Sequence, residues 1–205
     1  MRYILSALLL FCVCVAGAQD KTLLNKFVAE VSSSCVTIDY TYTARVSGID
    51  NLGFGTLVSQ DQVWTMKGNG IEMYCDGTTV WVVDPAAREV VIEPVSEEQG
   101  QEFMANPARM VFSIGDSFTL NTANPSSDGK AQICSLVPKV KAGIEYLNIE
   151  LLNDSALLRS VSFALSDGTL VTIKVSSMKL TPKSAAEMFK PQTVFDSKWI
   201  VTDLR

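Results

Sequence analysis

The chain has 205 residues, of which 47% are hydrophobic, so it is long and apolar enough to bury one core of its own. Its formal net charge of −5, without any dense basic run, argues against nucleic acid as a partner, because binding to phosphates depends on Lys and Arg. It has no histidine, which removes the commonest general base and the commonest metal ligand, and we expect neither a metal nor a cofactor.

The N-terminus predicts a cleavable secretory signal. Arg2 is followed by an apolar core from Ile4 to Val15 and by the small residues Ala16-Gly17-Ala18. An uncleaved anchor is the alternative, but the apolar run is about 12 residues long and a spanning helix needs about 20. A lipoprotein signal is disfavoured, since the residues before the two cysteines of this core are bulky. We therefore expect a signal at 1–18 and one periplasmic domain at 19–205, without an anchor.

Three cysteines remain in the mature chain, Cys35, Cys75 and Cys134. A periplasmic location would permit one disulfide. Their spacing fits neither a zinc site nor a CxxC redox motif. Buried, unpaired cysteine is the favoured state.

The mature chain opens with a predicted amphipathic helix, because Leu23, Leu24, Phe27, Val28 and Val31 follow helical spacing. The period then changes to two, which is typical of half-buried strands. Turn residues separate six such segments, and they predict an antiparallel meander. The strands are predicted near residues 36–43, 54–58, 63–66, 71–75, 80–83 and 89–92, with a turn from Gly48 to Gly53.

The pattern breaks at Ser96, where a capping box predicts a helix to about Ala105, and Pro107 begins a second helix over 108–112. A second capping box, Ser184-x-x-Glu187, predicts a short helix that Pro191 ends. A short extended segment follows at the C-terminus. Between these features strands return, near 117–122, 131–138, 144–152, 158–165 and 169–178.

About eleven strands with short helices at the start, middle and end predict one α+β domain. No internal repeat or linker divides the chain. An open sheet of this size tends to curl, so we expect a single, strongly curved antiparallel sheet. Helices inserted into the run of strands can cover its concave face.

No catalytic motif is present. Asp76, Asp128 and Asp167 each precede a glycine, and turn formation explains all three carboxylates. Three cysteines without histidine form no Cys–His pair. We expect a protein that is not an enzyme. An enzyme acting on a lipid or envelope substrate through a Lys or carboxylate site is the remaining catalytic alternative.

The apolar content is high for a sheet with one wet face. In Val80-Trp81-Val82-Val83, for example, both faces are apolar. An ordinary core between helices and sheet is one interpretation. A partly empty apolar cavity that accepts a lipid chain is the other, since such cavities stay dry and bind apolar ligands. Composition does not separate the two.

Short motifs in a fixed order resemble the periplasmic lipoprotein carrier family LolA. They comprise a Gly-x-Leu strand, an aromatic-bearing strand, a D-G-x-x-x-W segment that ends in a turn, an L-x-P-K strand end and an F-x-P helix exit. In this sequence they are Gly55-Thr56-Leu57, Val63-Trp64-Thr65-Met66, Cys75 to Pro85, Leu136-Val137-Pro138-Lys139 and Met188-Phe189-Lys190-Pro191.

The resemblance implies an unclosed β-barrel of about eleven strands, with a lid of short helices over a hydrophobic cavity. It also implies a monomeric carrier that takes acylated lipoproteins from an inner-membrane exporter to an outer-membrane acceptor. A lipid- or protein-sensing interaction module with the same fold is the alternative. The family's Arg-Pro pair, whose arginine holds the lid shut, is replaced by Gln60-Asp61. The latching role is therefore missing here or has moved to another residue.

We expect ten apolar side chains to line the cavity and bind the ligand. A one-residue error in register would turn the set of any strand outward. The ten residues are Phe54, Leu57, Trp64, Met66, Met73, Trp81, Val83, Phe103, Met104 and Phe112.

Overall fold

A computed structural model describes residues 20–95, 114–140 and 143–205. The two helices predicted between 96 and 112 lie outside these ranges. Helix α1 spans Asp20–Ser33, and its side chains Leu24, Phe27 and Val31 are buried. This confirms the first predicted helix. No described helix is long and apolar enough to cross a bilayer.

Twelve strands form one sheet in the described part of the chain. A one-turn helix, α2 (Ile114–Ser117), precedes β7, and a 3-10 turn (Ala186–Phe189) precedes β12. The strands are Cys35–Val46 (β1), Ile49–Gln60 (β2), Val63–Gly68 (β3), Ile71–Cys75 (β4), Thr79–Asp84 (β5), Glu89–Pro94 (β6), Phe118–Pro125 (β7), Ala131–Pro138 (β8), Ile144–Leu152 (β9), Leu158–Leu165 (β10), Leu170–Thr181 (β11) and Ile200–Asp203 (β12).

The sheet consists of two antiparallel meanders joined along their first and last strands. Its order is β12-β6-β5-β4-β3-β2-β1-β11-β10-β9-β8-β7. Strand β11 pairs with β1, and β12 adds to β6 as the one parallel neighbour in this order. Strands β7 and β12 are the two edges, so the sheet is unclosed. The predicted α+β fold with one large antiparallel sheet is confirmed, with twelve strands where about eleven were expected.

One face of the sheet packs against α1, and we call it the helix-side face. Leu24, Phe27 and Val31 of α1 join Val36 and Ile38 of β1 in a single buried cluster. That cluster also includes side chains from β2, β3, β4 and from β7 to β11. Strands far apart in the sheet thus meet on one side, so the sheet curves around the helix-side face.

Strand β2 is longer than predicted and begins at Ile49. The prediction of a turn from Gly48 to Gly53 is therefore wrong. The turn consists of Ser47 and Gly48, whose φ angles of 51° and 81° are both positive, as a two-residue hairpin turn of type I′ requires. Pairing with β1 begins at once, between Val46 and Ile49. Gly53 therefore lies inside the strand.

The cysteines Cys35, Cys75 and Cys134 are all buried, and none is joined to another by a disulfide. They occupy β1, β4 and β8. Each contributes to the buried core, as small apolar side chains commonly do.

Candidate ligand-binding face

Four of the predicted cavity residues lie together on the helix-side face. Leu57 of β2 is paired with Met66 of β3, which is paired in turn with Met73 of β4. Trp64, two residues before Met66, shares its face. Leu57 and Trp64 are buried in the core cluster, whereas Met66 and Met73 are half-buried and pack against it.

Three predicted residues lie on the opposite, outer face. Phe54 is an odd number of residues from Leu57 along β2, and its side chain is 64% exposed. Trp81 pairs with Tyr74, and Val83 shares the face of Trp81. The prediction that Phe54, Trp81 and Val83 line the same surface as Leu57, Trp64, Met66 and Met73 is therefore corrected. The remaining three predicted residues, Phe103, Met104 and Phe112, lie outside the described ranges.

The outer face of β5 is apolar because the C-terminal segment covers it. Like Trp81, Phe195 and Trp199 pack against the buried cluster on this face. The rings of Phe195 and Trp199 meet edge to face at 5.1 Å between centroids. Strand β12 then adds to the edge of the sheet. Both faces of β5 are thus covered, and its sequence lacks the alternation that would have shown the direction of Trp81.

The helix-side face carries no charged side chain on the five adjacent strands β11, β1, β2, β3 and β4. The register places every charged residue of these strands on the outer face. These residues are Asp39, Arg45, Asp50, Lys67, Glu72, Lys174 and Lys179.

Several of the outward charges are neutralised locally. Arg45 and Asp50 form an ion pair at 2.6 Å, and Lys67 lies 3.1 Å from Glu72. The hydroxyl of Tyr74 hydrogen-bonds to Glu72. All charged side chains of these five strands thus lie on the outer face, where several are paired. The helix-side face of the same strands, beside α1, is uncharged.

Two tyrosines lie against glycines on this uncharged surface. A Cβ added to Gly53 would lie 2.3 Å from Cε1 of Tyr42, and one added to Gly55 would lie 2.9 Å from the hydroxyl of Tyr40. The rings thus fill space that side chains at these positions would need, an arrangement that compensates for glycine in a strand. Burial raises the pKa of Tyr40, and the neighbouring Tyr42 adds to this shift.

Sequence reasoning missed this tyrosine and glycine arrangement. The available signal was a Gly-x-Gly repeat at the strand period, which places Gly53 and Gly55 on one face. The predicted turn concealed it.

Gln60, the residue that the resemblance aligns with a latching arginine, pairs with the segment after β11. Its amide Nε2 donates to the carbonyl of Ser184 at 2.9 Å, and its Oε1 accepts from the backbone N–H of Ser184 at 2.7 Å. Next to it, Lys183 lies 2.6 Å from Asp61. Gln60-Asp61 thus fixes the start of the C-terminal segment.

These contacts also correct the second capping box. The backbone of Ser184 is hydrogen-bonded to Gln60, and the residue at the N-cap of the 3-10 turn is Ala185, without a side-chain cap. The predicted short helix is present only as this turn. Its anchor is Phe189, which is fully buried.

We predict that Gln60→Ala lowers the free energy of unfolding by about 1–3 kcal/mol, because it leaves both backbone groups of Ser184 without their partner. Gln62→Ala is the matched control, since Gln62 is exposed and only its backbone carbonyl accepts a hydrogen bond. Urea unfolding followed by tryptophan fluorescence measures the difference. Equal midpoints for the two variants would contradict the structural role of Gln60.

The three Asp-Gly carboxylates serve their own turns, as predicted. Asp76 accepts from the N–H groups of Thr78 and Thr79, and Asp167 accepts from that of Thr169. Asp128 accepts hydrogen bonds from the Ser126 hydroxyl and from the Lys130 N–H. These two bonds, the first contributing most, hold the pKa of Asp128 well below its ordinary value. Among the residues described, no group of three or more His, Cys, Asp or Glu side chains is placed to hold a metal ion.

Comparison with solved structures places this sheet among known folds. An uncharacterized conserved protein from Thermus thermophilus matches with a TM-score of 0.54 and 12% identity, over 89% of this chain and 98% of its own. A DUF1329 family protein from Desulfovibrio piger matches with a TM-score of 0.50 and 13% identity, over 82% and 94%. A LolA superfamily protein from Nitrosomonas europaea matches with a TM-score of 0.45 and 10% identity, over 84% and 97%.

At these identities the likeness shows the fold alone. No curated protein matches the sequence. The family described as "Outer membrane lipoprotein carrier protein LolA" matches residues 64–192, which is more than half of the chain. This range begins at Trp64 and ends just after the 3-10 turn, so it contains most of the sheet described above. The chain is a diverged member of the LolA family of outer membrane lipoprotein carrier proteins.

Proposed function

We propose that the protein is a periplasmic carrier that shelters the acyl chains of lipoproteins, or of a related lipid, and moves them from the inner to the outer membrane. The observation that carries this proposal is the uncharged helix-side face, formed by five adjacent strands whose charged residues all lie on the outer face. Membership of the LolA family supports it.

The physical basis of binding is the removal of acyl chains from water. Each buried methylene contributes about 0.8 kcal/mol, so a chain of ordinary length provides a large driving force. Met66 and Met73 are half-buried on this face, and methionine adapts to irregular partners. Binding of this kind needs no covalent chemistry, which agrees with a carrier that is not an enzyme.

The proposed route needs two partners, an inner-membrane exporter and an outer-membrane acceptor. The N-terminal signal would bring the chain into the periplasm, and a monomer could then move between the membranes. The sequence of residues 1–18 and the family support this location.

The experiment is a titration of the delipidated mature protein with a triacylated lipopeptide that carries a fluorophore. We expect saturable binding at about one ligand per chain, because one continuous uncharged face is available. A lipopeptide without its acyl chains is the control. Absence of saturable binding to the acylated probe would contradict the carrier proposal.

A lipid- or protein-sensing module is the second candidate, and exposed apolar residues at the end of the β1–β2 hairpin favour it. Ile49, Leu52 and Phe54 are 67%, 75% and 64% exposed. Exposed apolar patches commonly mark contacts with other molecules. A pull-down from envelope extract distinguishes the candidates, since a carrier recovers many different acylated proteins and a sensor recovers one partner.

A further inference from the structure

Trp64 carries a buried polar group for which the described protein provides no partner. Its side chain is only 2% exposed, and its indole Nε1 has no hydrogen-bond acceptor among the described residues. Leaving a buried donor unpaired is costly, and such groups are rare in folded proteins. The group therefore requires an explanation.

The position of Trp64 suggests what the acceptor is. Trp64 lies on the helix-side face, in register with Ser59 of β2 and Cys75 of β4, and its side chain belongs to the main core cluster. This is the face that we propose for acyl chains. An acceptor oxygen on the ligand itself would satisfy the indole N–H.

The acceptor could be the carboxylate oxygen of a free fatty acid or the carbonyl oxygen of an ester or amide, and charge favours the carbonyl. A free fatty acid would bring a carboxylate onto a face that carries no cationic side chain on β11, β1, β2, β3 or β4. Burying a carboxylate without a counter-ion is strongly unfavourable. An ester or amide carbonyl is neutral and needs only one donor. Indole is donor only, so it matches a carbonyl and not a hydroxyl hydrogen.

We propose that the indole N–H of Trp64 donates a hydrogen bond to an ester or amide carbonyl of a neutral acyl ligand, and that this face selects esterified or amidated acyl chains over free fatty acids. The inference rests on the proposed carrier function and adds the ligand class and the recognising atom. Lipids and lipoproteins both present such carbonyls, so the two sources share this chemistry.

The first test uses the three tryptophans as reporters. In protein labelled with ¹⁵N at the indole nitrogen, a methyl ester of a pyrene-labelled fatty acid should shift the Trp64 indole N–H resonance downfield. A pyrene-labelled hydrocarbon of matched length should not produce that shift. Trp81 and Trp199 lie on the outer face and are internal controls. Assignment follows by elimination, from the two resonances that are lost in Trp81→Phe and in Trp199→Phe.

The second test compares affinities for three matched probes, which are the hydrocarbon, the methyl ester and the free acid. We expect the ester to bind the unmodified protein about tenfold more tightly than the hydrocarbon, from the pairing of one buried donor. The free acid should bind more weakly than the ester. In Trp64→Phe the preference for the ester over the hydrocarbon should disappear.

The outcomes separate this inference from the carrier proposal. If neither the acyl probes nor the triacylated lipopeptide binds, the carrier proposal itself fails. If the ester binds but leaves the Trp64 resonance unchanged, or if ester and hydrocarbon bind equally, acyl binding stands and the role of Trp64 is refuted. The resonance measurement needs no mutation in the ligand-bound sample, so instability of Trp64→Phe does not affect it. Titration with the triacylated lipopeptide and with a diacylglycerol then distinguishes a lipoprotein ligand from a free lipid.

Discussion

Replacing Phe189 with alanine is expected to lower the free energy of unfolding by about 3–5 kcal/mol, the usual cost of truncating a buried phenylalanine. Phe189 is fully buried, yet it belongs to a 3-10 turn of four residues without a side-chain cap. Local backbone structure therefore contributes little there. The buried ring anchors this turn, while the Gln60 pairing and the packing of Phe195 and Trp199 hold the rest of the segment between β11 and β12.

The neighbouring variant Met188→Ala is the control, because Met188 is 43% exposed and lies in the same turn. Its unfolding free energy should stay within about 0.5 kcal/mol of the unmodified protein, as is usual for surface substitutions. Urea unfolding, read by tryptophan fluorescence, measures both variants. Trp199 lies in the anchored segment, so its fluorescence reports on this region. Limited proteolysis should also cut Phe189→Ala first in its C-terminal segment, because that segment has lost a buried anchor. Equal stability of the two variants would show that Phe189 is not the anchor.

Replacing Met66 with glutamate is expected to weaken binding of the triacylated lipopeptide by about 100-fold or more. Met66 is half-buried on the helix-side face, paired with Leu57 on one side and with Met73 on the other. A carboxylate at that position would face the acyl chains without a cation on the neighbouring strands, and its desolvation opposes binding. A factor of 100 corresponds to about 2.8 kcal/mol.

Two variants control for shape and for surface charge. Met66→Gln keeps the size of the side chain without its charge and should lose much less affinity. Leu52→Glu places the same charge on the outer face, at a residue that is 75% exposed, and should bind as the unmodified protein does. Fluorescence titration measures all three, with circular dichroism to verify folding. If Met66→Glu and Leu52→Glu bind equally well, the acyl chains do not occupy the helix-side face.

The pH dependence of lipopeptide binding by Met66→Glu is a further prediction. An apolar environment raises the pKa of a carboxyl group, because burial disfavours the charged form. As pH falls through that raised pKa the side chain becomes neutral, and part of the lost affinity should return. Leu52→Glu should show no such recovery.

The fold was largely predictable because its local signals agree with the final structure. Helix α1 and strands β4, β8, β9 and β10 lie where spacing and turn residues predicted them, and the bounds of β8, β9 and β10 agree to the residue. The alternation is clearest in β9, where Leu147, Ile149 and Leu151 are buried and the residues between them are less so. Where a glycine belonged to a strand, as at Gly53, local reasoning predicted a turn instead. The stacking of Tyr42 that makes glycine suitable there is a contact across strands.

The candidate face was predictable only in part. Leu57, Trp64, Met66 and Met73 share it, and their strands alternate well enough to place them together. Trp81 and Val83 were misplaced because the C-terminal segment covers the outer face of β5 and makes both of its faces apolar. Gln60 was recognised as a departure from the family, but its partner Ser184 lies 124 positions away along the chain.

By itself the sequence determined the acidic and histidine-free composition, most of the succession of strands and the resemblance to LolA, and it predicts an export signal. These features depend on neighbouring residues, whose periodicity and turn propensity act over a few positions. Only the tertiary structure decided which face of each strand meets α1, how Gln60 holds the C-terminal segment, and that the indole N–H of Trp64 lies buried without a described acceptor. Those properties depend on register and on curvature, which bring together residues far apart in the chain, and a shift of one residue would reverse them.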